Sequence, residues 1–383
     1  MAKRSLRGCG CALAVLVVVL GAAGVVGWKF VWPRWKLRPS PASGGELQVH
    51  VLDVGPVEGD AILIISPSGK SVLIDAGDAG KGKVIIEALK RYNVQQLDYF
   101  IATHPHPDHL GGADEVIKTT KVLNVIDNGQ GLDVPESLIT QSKPATPSDK
   151  SPANKKPVKQ KLDKSSAVTK FYDEYKEAIA KSGAHYEKAQ AGATYDLGGG
   201  ARLTVLAPTE PLFTKDKLKK GGNVPNANSI VLRLDYGDFS MLLPGDAEEQ
   251  TEHRLLTKDL NLKVKILKIA HHGSKYATGQ DFVARVKPEV AIISCGEWNR
   301  YGHPSQVVLD RLRAANAKLY RTDLQGEISI TTRGRENDYV IKTAKETKND
   351  LWLGRLPQKD DSSRSGFIAY GDFGPLPKKS SER

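Results

Sequence analysis

The run Thr103–Gly112 reads THPHPDHLGG and follows the apolar stretch LDYFIA, so three histidines and an aspartate crowd into six residues where a strand ends. The whole chain of 383 residues holds only nine histidines. His104 and His106 each precede a proline, which biases both away from helix and toward extended backbone. In an extended segment residues i and i+2 project to the same side, whereas a helix would turn them about 200° apart. Both imidazoles can therefore converge on one cation. Asp108 and His109 follow where HLGG bends the chain, and they can reach a second cation beside the first. Imidazole and carboxylate at this density suit Zn2+, with manganese and iron as competitors. The plainer reading is a turn with clustered surface histidines, and it leaves their place at the end of a buried strand unexplained.

The surrounding pattern alternates strands and helices. ELQVHVLDVG and DAILIISPSGKSVLIDAGD read as strands, the second broken by a Pro-Ser-Gly turn into a hairpin. GKVIIEALKRYNV, GGADEVIKTT, AVTKFYDEYKEAIAKSG and SQVVLDRLRAAN space their apolar residues as helices. ARLTVLAP, SIVLRLDYGDFSMLLPGD, VKILKIAHHGS, EVAIISCG and GEISITTR are further strands. With 40% hydrophobic residues the chain can build a real core, which excludes wholesale disorder. Interleaved helices with several hairpins predict mixed sheets in an α/β (α+β) fold.

The ends and one insertion differ in composition. Gly8–Trp28 carries no charge, follows Lys3, Arg4 and Arg7, and is just long enough to cross a hydrocarbon core of about 30 Å. A cleaved signal peptide is the alternative. An uncleaved single-pass anchor over residues 1–35 fits better, because the apolar run continues past the small residues at 20–24 and Trp28, Trp32 and Trp35 suit a membrane interface. The catalytic part is then expected outside the cell, attached through a Pro/Ser/Gly linker at 36–46. Residues 133–166 are rich in Lys, Pro and Ser and almost lack large apolar side chains, which predicts a flexible basic insertion. Residues 336–383 read as a polar tail, leaving 47–335 as the folded domain. The three cysteines build neither a disulfide framework nor a cysteine zinc site. A net charge of +11 suits either solubility near an anionic envelope or a polyanionic substrate.

From Leu47 to Thr332 the chain resembles the metallo-β-lactamase-fold hydrolases, whose signature is His-x-His-x-Asp-His after a strand. The likeness sharpens toward the extracellular C-terminal domain of the competence protein ComEC and its free-standing relatives. VLDVGPVEGDAILI, VLIDAGD, ATHPHPDHLGG, NANSIVLRLDYGDFSMLLPGD, LKIAHHGS and the NRYGHPS region carry it, in order. The resemblance implies an αββα sandwich with two divalent metal ions, Zn2+ or Mn2+, between the sheet edges. It assigns His104, His106, Asp108 and His109 as ligands and Asp246 as the bridging carboxylate. One of His271 and His272 completes the set, His272 by comparison with nuclease-type relatives, and its partner contacts substrate or supports a ligand. Asp75 would hold the histidine loop. Standard members place another histidine before the strand that leads to the bridging Asp; here GGNVPNANSIVL has none, so Asn226 or Asn228 is expected there as a weak oxygen ligand or a substrate contact. An oxygen-richer site favours a harder ion such as Mn2+. His185, in SGAHYEKAQ, is a further candidate substitute.

Other residues keep two readings. His303 in YGHPS is either a surface histidine or a phosphate contact and general acid beside the metals. Asp60 in EGDAILI caps the sheet near the cluster, although GPVEGDA departs from the usual Gly-Gln-Gly-Asp-Ala of ComEC relatives. Ser274, after the histidine pair, is expected either beside the substrate or behind a ligand. No GxSxG or other nucleophile motif competes, so the chemistry expected is hydrolysis by activated water, oriented by Asp108 or Asp246. The resemblance implies a phosphodiesterase or nuclease acting on extracellular DNA, with a separate DNA-uptake channel as partner. The alternatives are hydrolysis of another ester (a small phosphodiester, a phosphocholine-type ester or a β-lactam) and a noncatalytic surface module.

Overall fold

The computed structural model describes residues 45–131, 164–218, 223–298 and 301–356. Two mixed sheets form the centre. The first has eight strands in the order β15-β14-β1-β2-β3-β4-β5-β6, and the second seven in the order β13-β12-β11-β10-β9-β8-β7. The first sheet comprises β1 (Leu47–Val51), β2 (Ile62–Ile65), β3 (Ser71–Ile74), β4 (Gln96–Ala102), β5 (Lys121–Asp127), β6 (His185–Lys188), β14 (Ile328–Thr332) and β15 (Val340–Thr343). The second comprises β7 (Thr194–Gly198), β8 (Ala201–Ala207), β9 (Val231–Tyr236), β10 (Phe239–Leu243), β11 (Ile266–Lys268), β12 (Val290–Ile293) and β13 (Lys318–Arg321).

Why the sheets stack follows from side-chain alternation. In β2 (ILII), Ile62 and Ile64 face the space between the sheets, while Leu63 and Ile65 face the helices outside. Both faces are buried, so the strand reads as an unbroken apolar run rather than an alternating one. The inter-sheet core joins β1, β2 and β14 to β8–β12 through Val49, Ile64, Ile330, Leu203, Leu232 and Met241. Helices Gly82–Arg91, Ala113–Thr119 and Lys164–Ser182 cover the first sheet, and Glu249–Leu256, Gln280–Val286 and Gln306–Ala314 cover the second. The layers are αββα, as expected.

Strands β3 to β6 run parallel, and so do β10 to β13. Parallel strands end together, and in open α/β sheets that end is where ligands gather. Here β3 runs into Asp75, β4 into His104, β10 into Asp246 and β11 into His271–His272. The backbone of Ile230 donates to Thr103 O at 2.9 Å, tying the two sheets together there, and that of His271 donates to Gly245 O at 3.2 Å, joining the ends of β10 and β11 within the second sheet.

Two boundaries change. The ordered chain continues past residue 335: β15 pairs antiparallel with β14, and Leu351 and Trp352 pack on the outer core of the second sheet. The tail looked patternless because β15 is a half-exposed edge strand with little apolar periodicity. The helix from Lys164 begins inside the expected insertion, the rest of which lies outside the described residues. So does the apolar run Gly8–Trp28; among the described residues no helix is long and apolar enough to cross a membrane.

Candidate metal centre

Local sequence explains how the histidine loop is held. His106 is extended (φ −76°, ψ 150°), as its proline requires, and it precedes the single turn Pro107–Leu110. Gly111 and Gly112 then press against the loop after β3: a Cβ on Gly111 would lie 2.2 Å from Ala79 N, and one on Gly112 2.5 Å from Ala76 O. No other residue fits that contact. Asp75 closes the loop by accepting from Thr103 N at 2.7 Å, from Thr103 Oγ1 at 2.8 Å and from His109 Nδ1 at 2.8 Å. That is the holding role expected of it.

His104 and His106 do converge: Nε2 of the first is 3.0 Å from Nδ1 of the second. Asp246 Oδ2 lies 3.8 Å from His104 Nε2 and 3.7 Å from His271 Nε2. On its other side, Asp246 Oδ1 is 3.1 Å from His109 Nε2. His272 Nε2 is 3.3 Å from His109 Nε2 and 3.3 Å from Asp108 Oδ2. Asp108, His109, Asp246 and His272 thus offer donor atoms all within 4.8 Å of one another. Both histidines of the His271–His272 pair face Asp246 Oδ2, at 3.7 and 3.8 Å.

The donor set fits divalent cations. Two nitrogens each about 2.05 Å from a tetrahedral zinc stand about 3.3 Å apart, the spacing that His109 and His272 show. Electrostatics agree. Burial pulls His104, His106 and His271 below the ordinary histidine value, His271 to about 4, so each keeps a lone pair to donate. Burial acts the same way on His109 and His272, but nearby carboxylates, Asp246 foremost, outweigh it and raise them, His272 to about 10. Burial would raise Asp108 and Asp246, yet the same histidines hold both below the usual carboxylate range. The buried Asp246 and the half-buried Asp108 together demand positive charge, supplied by protons or by cations.

Backbone strain marks the same residues. Asp75, His271 and His272 have φ of 60°, 47° and 52°, in the left-handed region that non-glycine residues avoid. Such conformations cost about 1–3 kcal/mol each and survive where the surroundings enforce them. His272 is locked by its Nδ1–H to Ser294 O at 2.9 Å, with Asp60 Oδ1 3.6 Å away. Asp60 sits beneath the cluster in a buried ion pair with Lys268.

Several expectations need correction. Asn228 is not in the site: its amide accepts from Phe213 N and donates to Phe213 O and Val224 O, stitching a loop. Asn226 is in place, with Nδ2 3.4 Å from His271 Nδ1 and 3.2 Å from Glu248 Oε1, and its buried Oδ1 has no partner. His185 follows the helix, as expected, but it is exposed on β6, opposite Asn124 of β5 at the sheet edge, where strand pairing holds it. Ser274 is buried and its Oγ accepts from Tyr276 N at 3.4 Å, which makes it a turn residue.

His303 is buried with its Nδ1 2.8 Å from Glu58 Oε1, and its ring lies 5.5 Å from that of His271 and 6.3 Å from that of His272. Sequence reasoning missed Glu58, Asn223 and Glu248. Asn223 Nδ2 is 3.3 Å from His106 Nε2, and Glu248, which burial raises to about 7, faces His271 Nδ1 at 3.5 Å. Glu58 lies two residues before Asp60 in the loop that departs from the family pattern, and that closeness was the available signal.

Residues 54–158 match the family model of the metallo-beta-lactamase superfamily. Over 327 residues the chain is 27% identical to ComE operon protein 3 of Bacillus subtilis, covering 81% of this chain and 36% of that one. It is 27% identical over 314 residues to Recombination protein 2 of Haemophilus influenzae (81% and 31%), and 27% over 295 residues to Competence protein ComA of Neisseria gonorrhoeae (76% and 33%). The chain spans about a third of the length of these relatives. With candidate metal ligands in place, the chain resembles the metallo-beta-lactamase superfamily over residues 54–158 and is a relative of the ComEC-type competence proteins over most of its length.

Proposed function

We propose that the protein is a metal-dependent phosphodiesterase that cleaves DNA, held at the cell surface by its N-terminal segment. The observation that carries this is the His303–Glu58 pair beside the ligand cluster. A departing alkoxide needs a proton, and a histidine oriented by a carboxylate on one nitrogen can deliver it from the other. Glu58 accepts from Nδ1 and so directs Nε2 of His303 to the leaving oxygen. Divalent cations held by Asp108, His109, Asp246 and His272 would supply water activation at neutral pH and neutralise charge on the phosphoryl group.

The chain's own residues do the rest. His104, His106 and His271 offer neutral imidazoles beside Asp246, while Asp108, His109 and His272 form the second donor group. Asp75 and Asp60 hold those groups from behind. DNA as substrate is supported by relatives named for competence and recombination, and by the net charge of +11, which gathers a polyanion. A DNA-uptake channel is the partner this reading implies.

The test uses the full chain in detergent with labelled single- and double-stranded DNA, Mn2+ or Zn2+, and chelator. Metal-dependent cleavage that falls by roughly 10²–10⁴ in His303→Ala supports the reading. Cleavage of a small ester with DNA left intact replaces it with another esterase, and metal-free binding without turnover replaces it with a noncatalytic module.

A further inference from the structure

Three exposed aromatic side chains rise from the loops that carry the site histidines: Tyr276 (60% exposed), Tyr301 (55%) and Trp298 (42%). The loops are fixed against each other. Ser305 N donates to Gly273 O at 2.9 Å, and a Cβ on Gly273 would strike Pro304 at 2.7 Å. Trp298 N donates to Pro56 O at 2.7 Å, anchoring the same rim to the loop that holds Glu58. Partly exposed aromatic rings on a fixed rim mark a binding surface.

The rings are also aligned. Tyr301 is stacked on His303, with centroids 5.6 Å apart and planes 21° apart. His303 in turn is stacked on His272, at 6.3 Å and 23°. A column of near-parallel rings thus runs from solvent to the ligand cluster, with Tyr301 outermost. The Lys275 ammonium lies 5.1 Å from the Tyr276 ring, so the rim carries positive charge beside its flat faces. Flat aromatic faces interleaved with cations hold unpaired bases, whose π-faces are accessible, whereas a duplex keeps its bases stacked on one another.

We infer that Tyr301, stacked on His303 at the mouth of the site, is a stacking platform for an unpaired base of the polynucleotide cleaved there. The platform confers selectivity for single strands, and it rests on the phosphodiesterase reading above. One stacked base is worth roughly tenfold to a hundredfold in affinity.

The experiment compares three probes with the Mn2+-loaded full chain: a labelled single-stranded oligonucleotide, the same strand with abasic residues at the cleaved end, and the duplex. Wild type should prefer the base-bearing strand over the abasic strand in kcat/KM. Tyr301→Ala should cut that preference by roughly tenfold to a hundredfold, acting through KM, and Tyr301→Phe should restore it. An unchanged preference in Tyr301→Ala, or equal losses on both strands, overturns the platform while leaving the nuclease reading intact. Failure of wild type to cleave any of the three probes overturns the nuclease reading, and the platform with it.

Discussion

His109 Nδ1 and Asp75 Oδ2 stand 2.8 Å apart in full burial, and this contact points His109 Nε2 at Asp246. The same carboxylate takes two hydrogen bonds from Thr103, so one side chain fixes both the histidine and the strand end before it. An amide cannot accept all three. Asp75→Asn is therefore expected to weaken metal binding by roughly 10- to 100-fold, the usual effect of losing a partner behind a ligand. Competition titration with a chromophoric chelator reads it, and an unaltered affinity would remove Asp75 from the centre's support.

The strands were legible where burial on both faces leaves an apolar run, as in β2, β10 and β12, and the histidine loop was legible because pre-proline backbone and spacing act locally. Strand β6 (HYEK) was not, since its residues are mostly exposed and only pairing with β5 makes it a strand. The pairing of Glu58 with His303 spans 245 positions, which no local pattern encodes. Nor could spacing decide between His271 and His272: left-handed backbone at both, a tertiary outcome, turns both toward Asp246.

The fold brings Asn226, from the histidine-free stretch GGNVPNANSIVL, beside His271, and its Oδ1 is buried without a partner. An oxygen donor in place of a nitrogen favours Mn2+ relative to Zn2+. Asn226→His is expected to shift the ratio of Zn2+ to Mn2+ affinity toward zinc by about tenfold or more. Metal competition followed by elemental analysis measures the ratio, and no shift would place Asn226 outside the coordination shell.

Buried Arg321 donates to both oxygens of Asp323, at 3.1 and 2.8 Å, and to the carbonyls of Leu351 and Leu353, at 2.8 and 2.7 Å. Arg355 joins the same carboxylate at 2.6 Å. This cluster clamps the segment after Asp350 beside the His303–Pro304 loop, where Arg355 N donates to Pro304 O at 3.0 Å. Asp323→Ala would strand a buried guanidinium, at a cost of about 3–5 kcal/mol in urea unfolding. Arg355→Ala, at a partly exposed position, should cost about 1 kcal/mol or less. Equal losses in the two variants would contradict the clamp.

Glu252 accepts from Thr278 N at 2.5 Å and from Gly279 N at 2.8 Å, yet burial outweighs those bonds and raises its carboxyl to about 7. In the unfolded chain the group titrates near its ordinary value of about 4.3. The folded state therefore binds the proton more tightly between those limits. Its contribution is full below the unfolded value and is lost as pH rises through about 7, by up to roughly 4 kcal/mol. Glutamine cannot ionise, but its amide nitrogen loses one of the two backbone bonds. At pH 5, Glu252→Gln should be less stable than wild type, and by pH 8 the gap should shrink or reverse. Urea unfolding of the metal-loaded proteins at the two pH values measures it, because effects of pH on the metal centre cancel in the difference. A gap that widens with pH would mean that Glu252 is ionised in the native fold at neutrality.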